Sequence, residues 1–219
     1  MNATPNPWEE AYRRFETPEE EIRKFIRRLR QAGANRWPRD ARIVELFCGH
    51  GNGLHALERL GFSALEGIEL SPALAGEYSG LAKILVGDCR KLPFADASQD
   101  ILIVQGGLHH LPELAKDLRS TLSEARRVLA AGGLFVVVEP WLTPFLALVH
   151  ALTRSGIVRK LSPKFDALAE MIRYEEDTYL PWLKQPELIL ELLREHFETE
   201  QLFFRWGKMH FVGRKGKGR

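Results

Sequence analysis

Residues 44–53 read VELFCGHGNG, in which an apolar run ends in three glycines at alternate positions. The run RIVELF is short and apolar with β-branched residues, which predicts a buried strand. Gly49, Gly51 and Gly53 permit positive φ angles and let a ligand approach the backbone closely. Because ligands bind at the carboxyl ends of the strands in an open parallel sheet, this loop predicts a binding site.

A second acid supports a nucleoside at that site. Glu69 ends the next predicted strand, about 20 residues after the loop, where a carboxylate can accept hydrogen bonds from both ribose hydroxyls. The dinucleotide fingerprint also requires a glycine at the sixth position, which is Leu54 here, and no lysine follows the glycines as in a phosphate-binding loop. The spacing therefore favours a nucleoside without a pyrophosphate.

Strands and helices alternate on both sides of the loop. Thr17 caps a predicted helix with Pro18 at its first position and Glu20 completing a capping box. This alternation predicts a parallel sheet covered on both faces. The further predicted strands are 64–69, 83–86, 101–105 and 134–139, followed by a pair that turns near Trp206-Gly207. The further predicted helices are 54–60, one starting at Ser71-Pro72, one from Leu114 to Gly132-Gly133, and 187–197.

Residues 140–185 differ in composition from the rest of the chain, with many aromatic residues and no strand pattern. We interpret them as a partly helical insertion that lies over the sheet. The apolar stretch from Trp141 to Leu152 is too short to span a bilayer and contains Pro144. A lid is favoured for this stretch over a dimer contact or a membrane-surface face.

The composition excludes several classes of protein. The chain has 219 residues, of which 45% are hydrophobic, and a net charge of +2, which predicts one domain and no nucleic-acid partner. Cys48 and Cys89 are the only cysteines, which excludes a disulfide scaffold, and no close-spaced ligand set predicts a metal. The N-terminal residues lack the pattern of a secretory signal, so a cytoplasmic location is expected.

Four segments resemble, in order, the motifs of class I S-adenosylmethionine-dependent methyltransferases. They are IVELFCGHGNG (43–53), GIELSP (67–72), GDCRKLPFADASQDILIVQGGLHHL (87–111) and EARRVLAAGGLFVVVEP (124–140). Together they cover about residues 40–140, and they are most similar to the small-molecule group that includes ubiquinone and menaquinone biosynthesis methyltransferases. The chain departs from the family at Phe47, where a glycine is common, and this departure bears on the shape of the loop.

The resemblance implies an α/β fold with a Rossmann-like, mostly parallel sheet of seven strands. Helices would cover both faces, and the lid insertion would follow the fifth strand. The whole chain, 1–219, is then one methyltransferase domain. Its parts are an N-terminal helix (17–31), a cofactor-binding core (40–140), the lid (140–185), and a last helix with a strand pair (186–213).

The resemblance also assigns residues to S-adenosylmethionine. Glu45 would orient the loop and reach the methionine amino group, Glu69 would hold the ribose, and Asp88 would accept from the adenine amine beside Cys89. Gln105 and Gly106 would touch the methionine end. The remaining expected cofactor-binding residues are Phe47, Cys48, Gly49, Gly51 and Leu70.

The sequence says less about the part of the site that would bind the methyl acceptor. His109 and His110 follow the fourth strand and Glu139 ends the fifth, so these three are the candidate catalytic residues, with structural packing or loop orientation as the alternative. The basic side chains of the first predicted helix could meet an anion, although a solvated face is favoured; they are Arg23, Lys24, Arg27 and Arg28. Aromatic and histidine residues could wall or cap the acceptor pocket, with simple packing as the alternative; they are Trp8, Tyr12, Trp141, His150, Tyr174, Tyr179 and Trp182.

The sequence therefore predicts methyl transfer to a small molecule, with O-methylation slightly ahead of C- or N-methylation. A general base assists when the acceptor is a hydroxyl. One alternative is a protein that binds the cofactor as a partner or regulator without catalysis. A nicotinamide-dependent oxidoreductase is less favoured, because the glycine spacing argues against a dinucleotide. No membrane span is expected, and a homodimer is left open.

Overall fold

A computed structural model describes residues 7–216, so the sequence features at residues 1–6 and 217–219 lie outside it. Seven strands form one sheet in the order β3-β2-β1-β4-β5-β7-β6, numbered along the chain. The first five strands pair in parallel, and β7 is antiparallel to both of its neighbours. The predicted Rossmann-like sheet is thus confirmed. The strands are Ile43–Leu46, Leu65–Glu69, Lys83–Val86, Gln99–Gln105, Leu129–Pro140, Glu198–Arg205 and Lys208–Arg214.

Ten α-helices accompany the sheet within the described residues. The helices α1 to α10 are Pro7–Phe15, Pro18–Gln31, Asn52–Arg59, Pro72–Glu77, Leu114–Val128, Pro144–Thr153, Gly156–Leu161, Pro163–Tyr174, Glu176–Lys184 and Pro186–His196. The helix α2 begins as predicted, because the Thr17 hydroxyl accepts from the Glu20 amide at 3.3 Å and the Glu20 carboxylate accepts from the Thr17 amide at 2.9 Å. These reciprocal bonds satisfy two amides that the first turn leaves without partners.

Helices cover both faces of the sheet. One buried cluster joins α5 and α10 to the sheet through side chains such as Leu118, Leu122 and Leu192. The other joins α2 and α3 to the opposite face through Phe25 and Leu54, among others. No helix within residues 7–216 has both the length and the apolar character needed to cross a bilayer.

Two helix assignments predicted from the sequence were wrong, and the insertion is more helical than predicted. Trp8 and Tyr12 lie on a helix of their own, α1, before the helix that was predicted to be first. The helix α5 ends at Val128, and Gly132 lies inside β5 because its amide donates to the Lys215 carbonyl at 2.9 Å. The insertion is almost entirely helical, with four helices over residues 144–184.

Candidate active site

A cavity of about 1120 Å³ opens at the carboxyl edge of the parallel strands. It extends from the glycine loop to α1, α2 and the helices after β5. The predicted site residues that line it are Glu45, Phe47, Cys48, Gly49, Glu69, Leu70, Asp88, Cys89, Gln105, Gly106, His109 and His110. Gly51 and Glu139 are predicted site residues that do not line it. One end of the sheet thus gathers side chains that are far apart in the sequence.

The glycine loop turns back through left-handed backbone. Gly49 has a φ of 52° and no neighbour within 4 Å of the position of a Cβ, so its face toward the cavity is open. Gly51 is also left-handed, but the Tyr78 ring lies against it. The resemblance implied that the cofactor approaches the backbone at both glycines. Space for such an approach exists at Gly49, whereas the Tyr78 ring fills it at Gly51. Phe47 adopts a φ of 56° although it is bulky, which is uncommon, and its ring occupies the space beside Gly107.

The Glu69 carboxylate closes this loop onto the second strand. One oxygen accepts from the Gly49 amide at 2.9 Å, and the other accepts from the Ser71 amide at 2.8 Å. Each oxygen keeps a further lone-pair direction, because a carboxylate has about four acceptor sites. Since Glu69 lines the cavity, it can hold the loop and also accept from two hydroxyls of a ligand.

Glu45 and Gln105 each have a buried side-chain oxygen that accepts no hydrogen bond within the described residues. The amide nitrogen of Gln105 donates to Glu45 Oε1 at 3.4 Å. Glu45 Oε2 and Gln105 Oε1 are buried and have no hydrogen-bond partner within the described residues. Burial raises the pKa of the Glu45 carboxyl to about 8. A cationic ammonium at this place would satisfy both acceptors and favour the ionised carboxylate, so this pair fits the methionine end of the expected cofactor.

Gly53 leaves room for the Glu45 carboxylate. A Cβ at Gly53 would overlap both oxygens of Glu45. We expect Gly53→Ala to lower the free energy of unfolding by about 1–2 kcal/mol, because a buried side chain must shift. Chemical denaturation measures this change. Gly76→Ala in α4 is the control: no atom lies within 4 Å of its Cβ position, so stability should stay the same or rise slightly. Equal effects of the two substitutions would contradict this account.

Asp88 is held by an arginine that the sequence did not single out. The Arg90 guanidinium donates to Asp88 Oδ2 at 2.6 Å and to the buried Asp117 at 3.0 Å. The hydrogen bonds from Arg90 lower the pKa of the Asp88 carboxyl. Asp88 is therefore an ionised acceptor of fixed orientation beside Cys89, as an adenine contact requires. Cys89 lies within 3.5 Å of the Thr121 hydroxyl, and burial raises the pKa of its thiol to about 11.

Glu139 and His109 form a buried ion pair. Glu139 Oε1 accepts from the Gly107 and Leu108 amides at 2.7 Å each, and Oε2 lies 2.7 Å from His109 Nδ1. Burial alone would lower the pKa of His109, but Glu139 and Glu175 outweigh it and raise the pKa. Glu139 is fully buried and faces the loop rather than the cavity, so the contacts fit its loop-orienting alternative.

His110 differs from its neighbour. Burial and the charge of His109 lower the pKa of His110 to about 4, so its ring is neutral at pH 7. Glu175 lies 3.8 Å from ring nitrogens of both histidines, and the sequence analysis did not identify it. The sequence feature that could have identified Glu175 is that it is an acidic residue within the aromatic insertion. The ligand atoms of these three residues come within 4.8 Å of one another. Because His109 already bridges two carboxylates, the absence of a metal stays our prediction.

The aromatic candidates separate into two groups. Trp8, Tyr12, Tyr174 and Tyr179 line the cavity, and the rings of Trp8 and Tyr12 stack with centroids 5.1 Å apart. The other three do not line it. Trp141 stacks on Phe204, Trp182 is fully buried and donates to the Pro140 carbonyl at 2.8 Å, and His150 lies 3.0 Å from the Tyr179 hydroxyl.

The basic residues of α2 also fall into two groups, which differ in whether they are exposed or line the cavity. Arg23 and Arg27 are exposed, as a solvated face requires. Lys24 and Arg28 are partly buried and line the cavity, so the solvated-face interpretation was wrong for these two. Lys208, at the start of β7, lines the same cavity and was not identified from the sequence.

Residues 44–137 match the family described as a methyltransferase domain. Over these residues the chain is therefore similar to methyltransferase domains. A demethylmenaquinone methyltransferase of Corynebacterium glutamicum is 31% identical over 121 residues, which are 54% of this chain and 50% of that enzyme. One of Thermotoga maritima is 28% identical over 173 residues, covering 74% of this chain and 73% of that enzyme.

Solved structures share the fold of this chain. A putative S-adenosyl-L-methionine-dependent methyltransferase of Methanococcus maripaludis superposes with a TM-score of 0.64 at 15% identity, covering 100% of this chain and 98% of that one. These findings confirm the resemblance to methyltransferases seen in the four motifs. The chain spans about half the length of the Corynebacterium enzyme, so the acceptor does not follow from that similarity.

Proposed function

We propose that this protein transfers the methyl group of S-adenosylmethionine to a small organic acceptor, with O-methylation favoured over C- or N-methylation. The observation that carries the proposal is one continuous cavity that joins two kinds of wall. At the glycine-loop end lie Gly49, Glu69 and the unsatisfied acceptors of Glu45 and Gln105. At the other end lie apolar and aromatic side chains from α1 and the lid helices.

The residues of the loop end would hold the cofactor. Glu69 would accept from the ribose hydroxyls, Asp88 from the adenine amine, and Glu45 with Gln105 from the methionine ammonium. When bound, S-adenosylmethionine supplies an electrophilic methyl group on a positively charged sulfur. The protein then has to align the acceptor with that methyl group and exclude water, which can supply much of the acceleration.

The acceptor end offers alignment, water exclusion and one ring that can orient a hydroxyl. Phe145, Leu146 and Met171 of the lid helices line it together with Trp8. His110 also lines it with a ring that is neutral at pH 7, which can accept a hydrogen bond from a hydroxyl acceptor. His109 and Glu139 would act as positioning residues, because their contacts hold the loop that carries His110. A ring nitrogen that can orient a hydroxyl at this end of the cavity supports O-methylation.

The test is calorimetric titration of the protein with S-adenosylhomocysteine, beside NADH and NADPH. We expect S-adenosylhomocysteine to bind and neither nicotinamide to bind. Binding of a nicotinamide instead would overturn the proposal. Binding of S-adenosylhomocysteine without methylation in a broad acceptor screen would favour a non-catalytic binding partner.

The buried free thiols Cys48 and Cys89 support a reducing, cytoplasmic location.

A further inference from the structure

Two cations on the wall of the cavity form no ion pair with the described residues. Arg28 comes from α2, and Lys208 comes from the start of β7. Both side chains are partly buried and line the cavity. Within residues 7–216, neither the guanidinium nor the ammonium has an ion pair or a hydrogen bond. The Arg28 guanidinium lies over the Phe25 ring, 5.6 Å from its centroid.

The nearby acids are already committed to other groups. Lys24 pairs with Glu16 and Glu21, and Glu21 also accepts from Asn52 at 2.8 Å. Glu139 is bonded through both oxygens, as described above. Glu175 faces the two histidines. None of these carboxylates forms an ion pair with Arg28 or Lys208, although their charges stabilise both cations from a greater distance.

The two cations also repel each other. Burial, followed by the charge of Arg28, lowers the pKa of Lys208 to about 7. Burial likewise lowers the pKa of Arg28. Holding two like charges in a desolvated wall without a direct ion pair costs free energy, and an anion bound at this wall would recover it. Such an arrangement is common where a site binds a charged ligand.

The surroundings limit what the anion is attached to. The same cavity is lined by Tyr12, Phe145, Phe165 and Ile172, which present rings and aliphatic groups. A free inorganic anion would leave this apolar surface in contact with water. An organic molecule with an apolar body and one oxyanion would satisfy both parts of the wall.

We propose that Arg28 and Lys208 form an anion subsite that binds the oxyanion of an acceptor whose body is apolar. The inference rests on the proposed function, because it places this subsite at the acceptor end of the cavity. It adds a substrate class, an amphipathic organic acid, which neither the similarity to known proteins nor the motifs of the chain provide.

A matched pair of dyes tests the subsite. The probe is 8-anilinonaphthalene-1-sulfonate, which combines apolar rings with one sulfonate, and N-phenyl-1-naphthylamine has the same rings without the sulfonate. Fluorescence titrations are made in saturating S-adenosylhomocysteine, so that the loop end is filled. The variants are Arg28→Gln and Lys208→Gln. The controls are Arg27→Gln and Lys184→Gln, which change exposed cations of the same types.

We expect each cavity variant to weaken binding of the sulfonate dye by about tenfold, because a charged hydrogen bond is lost. Binding of the neutral dye should not change, and both controls should behave as the wild type. Equal losses for both dyes, no loss for either, or no binding of the sulfonate dye to the wild type would overturn the subsite. Circular dichroism and thermal denaturation establish that each variant folds.

Calorimetry with S-adenosylhomocysteine on the same proteins separates this inference from the proposed function. Retained cofactor binding in a variant that shows no dye selectivity removes the subsite and leaves the methyltransferase proposal intact. A wild-type protein that binds the sulfonate dye selectively but not S-adenosylhomocysteine removes the proposed function and leaves the anion subsite in place.

Discussion

Replacing Glu139 with alanine is expected to lower the free energy of unfolding by about 3–5 kcal/mol, because the partner of a buried ion pair is removed. His109 would keep its position beside Glu175 but lose the carboxylate 2.7 Å from Nδ1. The amides of Gly107 and Leu108 would also lose their acceptor. Denaturation with urea measures the loss. Glu113→Ala, at an exposed ion pair with Lys116, is the control and should change stability by less than about 1 kcal/mol.

The loss should depend on pH in a defined direction. The pKa of His109 is raised above 6.5 in the folded protein, so its contribution is complete below pH 6.5 and is lost as pH rises through the folded value. The pKa of Glu139 is lowered below 4.5, so its contribution is complete above pH 4.5 and is lost as pH falls through the folded value. The pair therefore stabilises most between those two limits.

The gentler substitution Glu139→Gln keeps the shape of the side chain and serves if the alanine variant does not fold. Its stability deficit relative to the wild type should be largest between pH 4.5 and 6.5 and should narrow on either side. A deficit that stays the same from well below pH 4.5 to well above pH 6.5 would show that the ion pair is not the source of the effect.

The second large effect is expected on cofactor binding. Glu69→Ala removes the acceptor for the Gly49 and Ser71 amides, which shapes the glycine loop, together with the proposed ribose contact. We expect the affinity for S-adenosylhomocysteine to fall by about ten- to a hundredfold, because buried polar groups are left unpaired. Calorimetry on the wild type and the variant gives the ratio directly.

The control for this substitution lies on the same strand. Glu66→Ala changes a carboxylate of β2 that does not line the cavity, so its affinity should match that of the wild type. Glu69→Gln retains one acceptor oxygen, and its affinity should fall between those of the wild type and Glu69→Ala. An unchanged affinity in Glu69→Ala would remove Glu69 from the binding site and leave it a loop residue.

Local patterns predicted much of the fold. The strand Lys83–Val86 and the capping box at Thr17 and Glu20 occur where the sequence placed them. Each depends on residues that are neighbours in the chain, so propensity and hydrogen bonding within a few residues are sufficient. The end of α5 was misplaced because a distant partner, Lys215, pairs with Gly132 and extends β5 backward.

The loop end of the site was also predictable, since its residues follow consecutive strands and parallel strands bring their carboxyl ends to one edge. Glu45, Glu69 and Asp88 follow this rule, and all three line the cavity. Their roles toward the cofactor stay predictions until binding is measured. Glu175, Arg28 and Lys208 follow no such rule, because they come from the lid, from an early helix and from the last strand.

The sequence by itself determined the alternation of strands and helices in the sheet and the position of the glycine loop, because these features are short in range or repeat along a sheet edge. Only the tertiary structure decided which charges are paired. Lys24 has two carboxylate partners, whereas Arg28, one helical turn later, faces the cavity without one. Pairing depends on distances of a few ångströms between elements far apart in the chain, which no local pattern specifies.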